Sequence, residues 1–223
     1  MTTLKHGEAH QLNALTERVN EISADKLTIH ELLTIYRVQK QMYDGKKSLP
    51  ISLYAPPEEY KGRWNGRLTD IAMTYVAKTD KTALLEALFH ADDESDFKQE
   101  RDVNDKKLKP REMVKVTFEK PLRLIDVTAL LPKLLLSLED LVGDKCYAIT
   151  QTLADSVYAK FGQDFDGIIY TSRWSGQPLD CAAIWRYPAI ESSTQTELIK
   201  YENGDQDVYD ILCDDLGFYL TLE

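Results

Sequence analysis

The sequence has little of what marks secreted or membrane proteins. Its three cysteines, Cys146, Cys181 and Cys213, are widely spaced and form no CxxC pair, which favours reduced thiols over a disulfide framework or a zinc site. No window reaches the roughly 18 apolar residues of a membrane span. The polar beginning of the chain also lacks the apolar stretch of a signal peptide. We therefore expect no membrane association and a cytoplasmic location.

Positive charge is also scarce. Lysine and arginine number 27 against 37 aspartate and glutamate residues, for a formal net charge of −10 over 223 residues. Because nucleic acids carry dense negative charge, this balance argues against direct DNA or RNA binding. Apolar residues make up 43% of the chain and charged residues 29%, which is ordinary for a globular protein and argues against wholesale disorder.

Short motifs of common chemistries are missing as well. The sequence contains no GxGxxG, no GxxxxGK[ST], no HExxH and no GxSxG. The four histidines form no metal-binding cluster, since a metal ion needs further ligands at suitable spacing. They are His6, His10, His30 and His90. We expect no metal site.

The periodicity of the apolar residues predicts an α+β protein with a modest split sheet of short strands and flanking helices. Helical spacing over residues 8–33 predicts an N-terminal helical extension, assigned to residues 1–34. Within it, Thr28 is expected to cap a second short helix, and a strand is expected from about Ile35. Further helices are predicted at about 81–91 (capped by Asp80), 130–141 and 150–161, and further strands at 73–77, 165–170 and 182–185.

The middle of the chain predicts two strands after a polar segment. Residues 92–112 are almost entirely polar and predict a long exposed loop or mobile arm. Residues 113–118 alternate between apolar and polar, as a half-buried strand does, and 122–127 predict the next strand. Pro121 lies between them and disfavours one continuous central strand.

A dispersed set of polar residues remains, and each has an ordinary structural interpretation. Arg37 lies in an apolar segment, where an arginine must be paired or must extend to solvent. Glu86 falls on the polar side of its predicted helix, where a solvated surface residue is usual. Ser172 follows an apolar strand, where a serine most often caps a turn.

Taken together and in order, these residues resemble the RES domain family, which is named after an arginine, a glutamate and a serine. Tyr36-Arg37-Val38 resembles the strand with the first family arginine, and Gly62-Arg63-Trp64-Asn65 is similar to the second arginine motif. Tyr75 matches the family tyrosine, and Glu86 in Thr82-Ala83-Leu84-Leu85-Glu86 matches the glutamate. The segment from Asp166 to Arg173 resembles the stretch with the serine, here Ser172. The resemblance spans about residues 35–187. Arg67 follows Arg63 closely, so either arginine could fill the second position.

The resemblance implies an ADP-ribosyltransferase-like catalytic domain over residues 35–223 that uses NAD as its substrate. It implies that Arg37 and Arg63 grip the pyrophosphate and that Glu86 stabilises the oxocarbenium-like transition state of glycosidic cleavage. Tyr75 is expected to contact the nicotinamide ribose. Ser172 is expected to bind the nicotinamide amide or the ribose rather than to act as a nucleophile.

The function implied is that of a toxin that depletes NAD by hydrolysis or phosphorolysis, paired with an Xre-type helix-turn-helix antitoxin. ADP-ribosylation of a cellular protein is the alternative within the same chemistry, because water, phosphate and a protein side chain attack the same carbon. A module that only binds its antitoxin is a second alternative, and an effector delivered to other cells is a third. A homo-oligomer is also compatible with the sequence.

Overall fold

The computed structural model describes residues 6–41, 49–89, 102–142 and 146–221 of the chain. Its helices are α1 (His6–Glu21), α2 (Asp80–Phe89), α3 (Asp105–Leu108), α4 (Val127–Leu134), α5 (Glu139–Val142), α6 (Tyr147–Phe161) and α7 (Val208–Asp210). Its strands are β1 (Ile29–Lys40), β2 (Thr74–Ala77), β3 (Asp102–Val103), β4 (Arg111–Asp126), β5 (Gly167–Tyr170), β6 (Cys181–Ile184), β7 (Ile190–Glu197), β8 (Glu202–Asn203), β9 (Gln206–Asp207) and β10 (Tyr219–Leu220).

Five of these strands form a closed barrel. Neighbours pair in the order β1-β2-β6-β5-β4, and β4 pairs back with β1 to complete the ring. Strand β7 is attached to the first half of β4, while the last residues of β4 pair in parallel with β5. The predicted α+β class with flanking helices is confirmed. The sheet differs from the predicted split sheet of short strands, because β1 and β4 are long and pair with each other along most of their lengths.

Apolar side chains fill the barrel and both of its flanks. The cluster inside the barrel draws on each of the five strands, with Ile35, Val76, Leu124, Ile169 and Ala182 among its members. A second cluster packs α1, α4 and α6 against one flank. A third packs α2 against the C-terminal segment on the other flank. The N-terminal helix is therefore fixed to the barrel by way of α6, where its buried residues Leu15 and Val19 share a core.

The beginning of the barrel differs from the sequence prediction. The helix expected after Thr28 is wrong, because β1 already begins at Ile29 and pairs with β4 from that residue onward. The long partner strand decides this conformation, and it overrides a local capping pattern. The cap of α2 is Thr79 rather than Asp80, since the Thr79 hydroxyl accepts the backbone N–H of Thr82 at 3.2 Å.

The middle of the chain also differs. The two strands predicted on either side of Pro121 are one strand, β4. The register of β4 against β1 shifts in the stretch that holds Pro121, so the missing N–H removes no bond from a regular ladder there. Residues 92–101 of the predicted polar loop lie outside the described residues. The loop prediction is wrong for residues 102–112, where β3 pairs with β10 and Val103 and Leu108 are buried.

Candidate active site

A pocket of about 370 Å³ opens between β1, β2, α2 and the loop that starts at Gly62. This volume is typical of a small-molecule site. Of the residues proposed from the sequence, Arg37, Arg63, Tyr75 and Glu86 all line the pocket, although they are far apart in the chain. Its other lining side chains include Tyr36, Tyr147, Tyr170, Arg173 and Cys181.

Arg37 enters the pocket from strand β1. Its guanidinium is partly buried, and burial lowers its pKa below the ordinary arginine value. Its Nη1 donates a long hydrogen bond of 3.4 Å to the backbone carbonyl of Tyr75. No carboxylate among the described residues forms an ion pair with Arg37, so its charge is left available to an anionic ligand. Arginine stays protonated at any physiological pH despite such a shift.

Arg63 lies on the loop that follows Gly62. Its guanidinium stacks over the ring of Tyr170, with the central carbon 4.8 Å from the ring centroid, and Nη1 donates to the carbonyl of Leu141 at 3.2 Å. Arg67, the alternative raised by the sequence, does not line the pocket. The structure therefore places Arg63, and not Arg67, beside Arg37 and Glu86.

Tyr75 connects strand β2 to that loop. Its hydroxyl accepts the backbone N–H of Trp64 at 2.9 Å and donates to Oδ1 of Asn65 at 3.1 Å. The same amide oxygen accepts the N–H of Gly62 at 2.8 Å, which closes a tight turn around Arg63. Burial raises the pKa of Tyr75 well above the ordinary tyrosine value, so the phenol is neutral. Its hydroxyl thus holds the loop that carries Arg63.

Glu86 is held by the serine predicted as a ligand of the substrate. Ser172 Oγ donates to Glu86 Oε1 at 2.6 Å and accepts the backbone N–H groups of Trp174 and Ser175 at 3.0 and 3.2 Å. Ser172 is only 3% exposed and is not among the pocket-lining residues. Its single proton is committed to Glu86, so the structure gives Ser172 the position of an orienting residue.

The segment after Ser172 is fixed by a buried carboxylate, Asp180. Its Oδ1 accepts the N–H of Ser172 at 2.8 Å, and its Oδ2 accepts the hydroxyl of Thr82 at 3.2 Å, which ties the segment to the start of α2. Cys181, the next residue, lines the pocket beside Glu86, and burial and the nearby carboxylate raise the pKa of its thiol. A neutral thiol in such surroundings is unreactive.

Sequence reasoning missed Arg173 and Tyr147, which both line the pocket. Arg173 directly follows Ser172, and its Nη2 lies 3.5 Å from the sulfur of Cys146. Its place next to the predicted serine was the available signal. Tyr147 begins α6 and is 41% exposed, so no periodicity distinguishes it from a surface residue. Arg37, Arg63 and Arg173 together give the pocket a positive character that the net charge of the chain conceals.

A family model of the RES domain matches residues 34–202, from the middle of β1 to β8. The chain belongs to the RES domain family. A comparison of its sequence with curated proteins finds no match. The matched range contains Arg37, Arg63, Tyr75, Glu86 and Ser172, and it leaves α1 and the C-terminal segment outside. RES domains are associated with toxin–antitoxin pairs and are linked in general to NAD-related toxins.

Two further observations describe this RES domain. In the part of the chain that the structure describes, no group of three or more His, Cys, Asp or Glu side chains could hold a metal ion. His90 lies outside that part. Across the same residues, no helix has both the length and the apolar character that a membrane crossing requires.

Proposed function

We propose that this RES domain cleaves the bond between nicotinamide and ribose in NAD and acts as a toxin by depleting it. One observation carries the proposal: two arginines, a tyrosine and a glutamate from four separate segments meet in a single pocket of small-molecule size. The pocket combines cationic groups for an anionic ligand with one carboxylate for a reacting centre that becomes positive.

The two arginines suit the pyrophosphate of NAD. A guanidinium binds phosphate oxygens through two parallel hydrogen bonds and tolerates partial burial, because it is weakly hydrated. Among the described residues, Arg37 has no carboxylate partner, and the Arg63 guanidinium packs over Tyr170 and donates a hydrogen bond to one backbone carbonyl. Both side chains therefore retain donors for a ligand, and Arg173 adds positive charge to the same wall.

The Glu86 carboxylate is suited to stabilise positive charge at the reacting carbon of the ribose. As the glycosidic bond breaks, its electron pair moves to the nicotinamide nitrogen and positive charge develops on the ribose ring. A carboxylate fixed beside that ring stabilises the charge most when it does not have to reorient during the reaction. Ser172 supplies this fixation through its 2.6 Å hydrogen bond to Glu86. Water or phosphate then attacks the ribose carbon and loses a proton to solvent.

The walls of the pocket support the same chemistry. Tyr170 is buried and Tyr75 is partly buried, both line the pocket, and burial raises the pKa of each so that both phenols remain neutral. Aromatic walls that exclude water strengthen the attraction between the carboxylate and the developing positive charge. Flat ring faces also suit the nicotinamide and ribose of the substrate.

The biological setting proposed is a toxin–antitoxin pair. Family membership supports an antitoxin partner, and we propose an Xre-type helix-turn-helix protein that covers the pocket and keeps NAD out. An ADP-ribosyltransferase-like fold is proposed on the same ground. The net charge of −10 leaves contacts with nucleic acid to the antitoxin.

Incubation of the purified protein with NAD tests the proposal. We expect the wild-type protein to release free nicotinamide and the Glu86→Gln variant, as the matched control, to release none. The mass of the second product identifies the acceptor: ADP-ribose for water, or its phosphorylated form for phosphate. Labelled protein after incubation with labelled NAD would favour the transferase. If NAD stays intact with folded wild-type protein and no protein becomes labelled, the result would favour a module that only binds its antitoxin.

A further inference from the structure

One buried carboxylate near the pocket has no part in the mechanism above. Asp155 lies on α6, is 8% exposed, and does not line the pocket. Its Oδ2 accepts the backbone N–H of Leu68 at 2.8 Å, and its Oδ1 accepts the hydroxyl of Thr69. A buried carboxylate is unfavourable unless hydrogen bonds satisfy it, and here the loop at Gly62 supplies those bonds.

A second side chain of α6 holds the other end of the same loop. Gln151 Nε2 donates to the carbonyl of Gly62 at 3.2 Å. Residues four apart lie on one face of a helix, so Gln151 and Asp155 act from the same side. Between their contacts, Gly66 lies directly against the Asp155 carboxylate, where a Cβ would meet its Oδ1. The loop is therefore seated on α6 so closely that a side chain at residue 66 would displace the Asp155 carboxylate or the Thr69 hydroxyl.

This seating determines where Arg63 points. Arg63 lies between the two contacts with α6, and the Tyr75 hydroxyl holds the next residue, Trp64, from the side of the barrel. The Trp64 side chain is fully buried and packs on Tyr170 with ring centroids 5.1 Å apart. With the backbone fixed on both sides, the guanidinium has little freedom beyond its own rotamers.

We infer that Asp155 is a positioning residue for Arg63: it holds the 62–69 loop on α6 and so sets the affinity for the anionic part of the substrate. The inference rests on the proposed function, because it takes Arg63 to bind the pyrophosphate. Asp155 has no contact with the pocket and no role in breaking the glycosidic bond. Its loss therefore weakens the binding of phosphate-bearing ligands and leaves the chemical step intact.

Two variants of Asp155 and one control variant test the inference by calorimetric binding of ADP-ribose and, separately, of nicotinamide. Asp155→Ala is expected to raise the Kd for ADP-ribose at least about tenfold, as loss of contacts made by a charged group does. The Kd for nicotinamide is expected to stay within about twofold. Asp155→Asn is expected to restore ADP-ribose binding, because its amide oxygen can accept from Leu68 and its NH₂ can donate to the Thr69 hydroxyl.

Asp166→Ala is the matched control. Asp166 also accepts a backbone N–H, from Arg123 at 2.8 Å, but it precedes β5 at the end opposite Ser172. We expect it to lower stability with both affinities retained. If Asp155→Ala does not fold, Thr69→Ala removes one exposed donor to the same carboxylate and is expected to give a smaller loss in the same direction.

Failure of the inference differs from failure of the proposed function. If the wild-type protein binds and cleaves NAD and Asp155→Ala binds ADP-ribose equally well, the inference alone is wrong. An equal loss of ADP-ribose and nicotinamide affinity would show general damage to the pocket and would also overturn it. If the wild-type protein neither binds ADP-ribose nor consumes NAD, the proposed function fails and the inference fails with it.

Discussion

Ser172 Oγ donates a 2.6 Å hydrogen bond to Glu86 Oε1 and joins the end of β5 to helix α2. Two backbone N–H groups occupy the acceptor side of the same hydroxyl. The serine therefore has no proton to offer a ligand. The arrangement makes Ser172 the residue that orients the Glu86 carboxylate.

Ser172→Ala is expected to lower kcat about 10- to 100-fold with KM nearly unchanged, the effect of losing one hydrogen bond to a charged group. The reason is that Glu86 loses its orientation while the arginines still bind the substrate. Steady-state kinetics of NAD cleavage measure both constants. Ser175→Ala is the matched control, because its hydroxyl lies on the same segment but donates to Asp180. A rise in KM without loss of kcat would assign Ser172 to substrate binding instead.

Arg63→Ala and Arg67→Ala form a second matched pair. Arg63 lines the pocket and Arg67, four residues further along the same loop, does not. We expect Arg63→Ala to weaken ADP-ribose binding about 10- to 100-fold, because a guanidinium bound to phosphate is lost. Arg67→Ala is expected to bind like the wild type in the same titration. Equal losses in the two variants would contradict the assignment of the second arginine to Arg63.

Tyr75→Phe tests the hydroxyl that holds the Arg63 loop. The change leaves the N–H of Trp64 without its acceptor, and we expect the free energy of unfolding to fall by about 1–3 kcal/mol. Urea denaturation measures the loss. Tyr158→Phe is the control, since the Tyr158 ring packs edge-on against Trp185 and its hydroxyl bonds no described residue. Equal stability of Tyr75→Phe and wild type would contradict the proposed anchoring.

Alkaline pH is expected to destabilise the fold through the phenol groups of Tyr75 and Tyr170. Burial raises the pKa of Tyr75 and of Tyr170 in the folded state, so the folded protein holds these protons more tightly than the unfolded chain does. Their contribution is complete below the ordinary tyrosine pKa of about 10 and is lost as the pH rises from there towards the folded-state values. Urea denaturation at pH 8, 9, 10 and 10.5 should show a plateau and then a fall, and Tyr75→Phe should fall less steeply. A flat profile would contradict this account.

The sequence predicted elements that carry a clear apolar signal and missed a strand that carries none. Helix α6 and strands β2, β5 and β6 were predicted within a few residues, because α6 has apolar residues at helical spacing and the three strands are short apolar runs that are almost entirely buried. Strand β7 was missed. Its residues 191–195 are exposed on both faces, so no alternation appears, and its pairing with β4 alone makes it a strand.

The candidate site was predictable as a set of residues but not as an arrangement. Family resemblance named Arg37, Arg63, Glu86 and their neighbours, and the structure brings these three into one pocket. Which partner each side chain has depends on long-range packing that no local pattern encodes. Asp155 is an example, because its hydrogen-bond partner Thr69 lies on a loop 86 residues earlier in the chain.

The most direct test compares Glu86→Gln with the wild-type protein in two measurements on the same preparations, NAD turnover and calorimetric binding of NAD. Because the amide keeps the shape of the side chain but not its charge, the account predicts that turnover is lost while NAD affinity and the folding transition are retained. Wild-type turnover in Glu86→Gln would contradict the account, because the carboxylate would then have no part in breaking the bond.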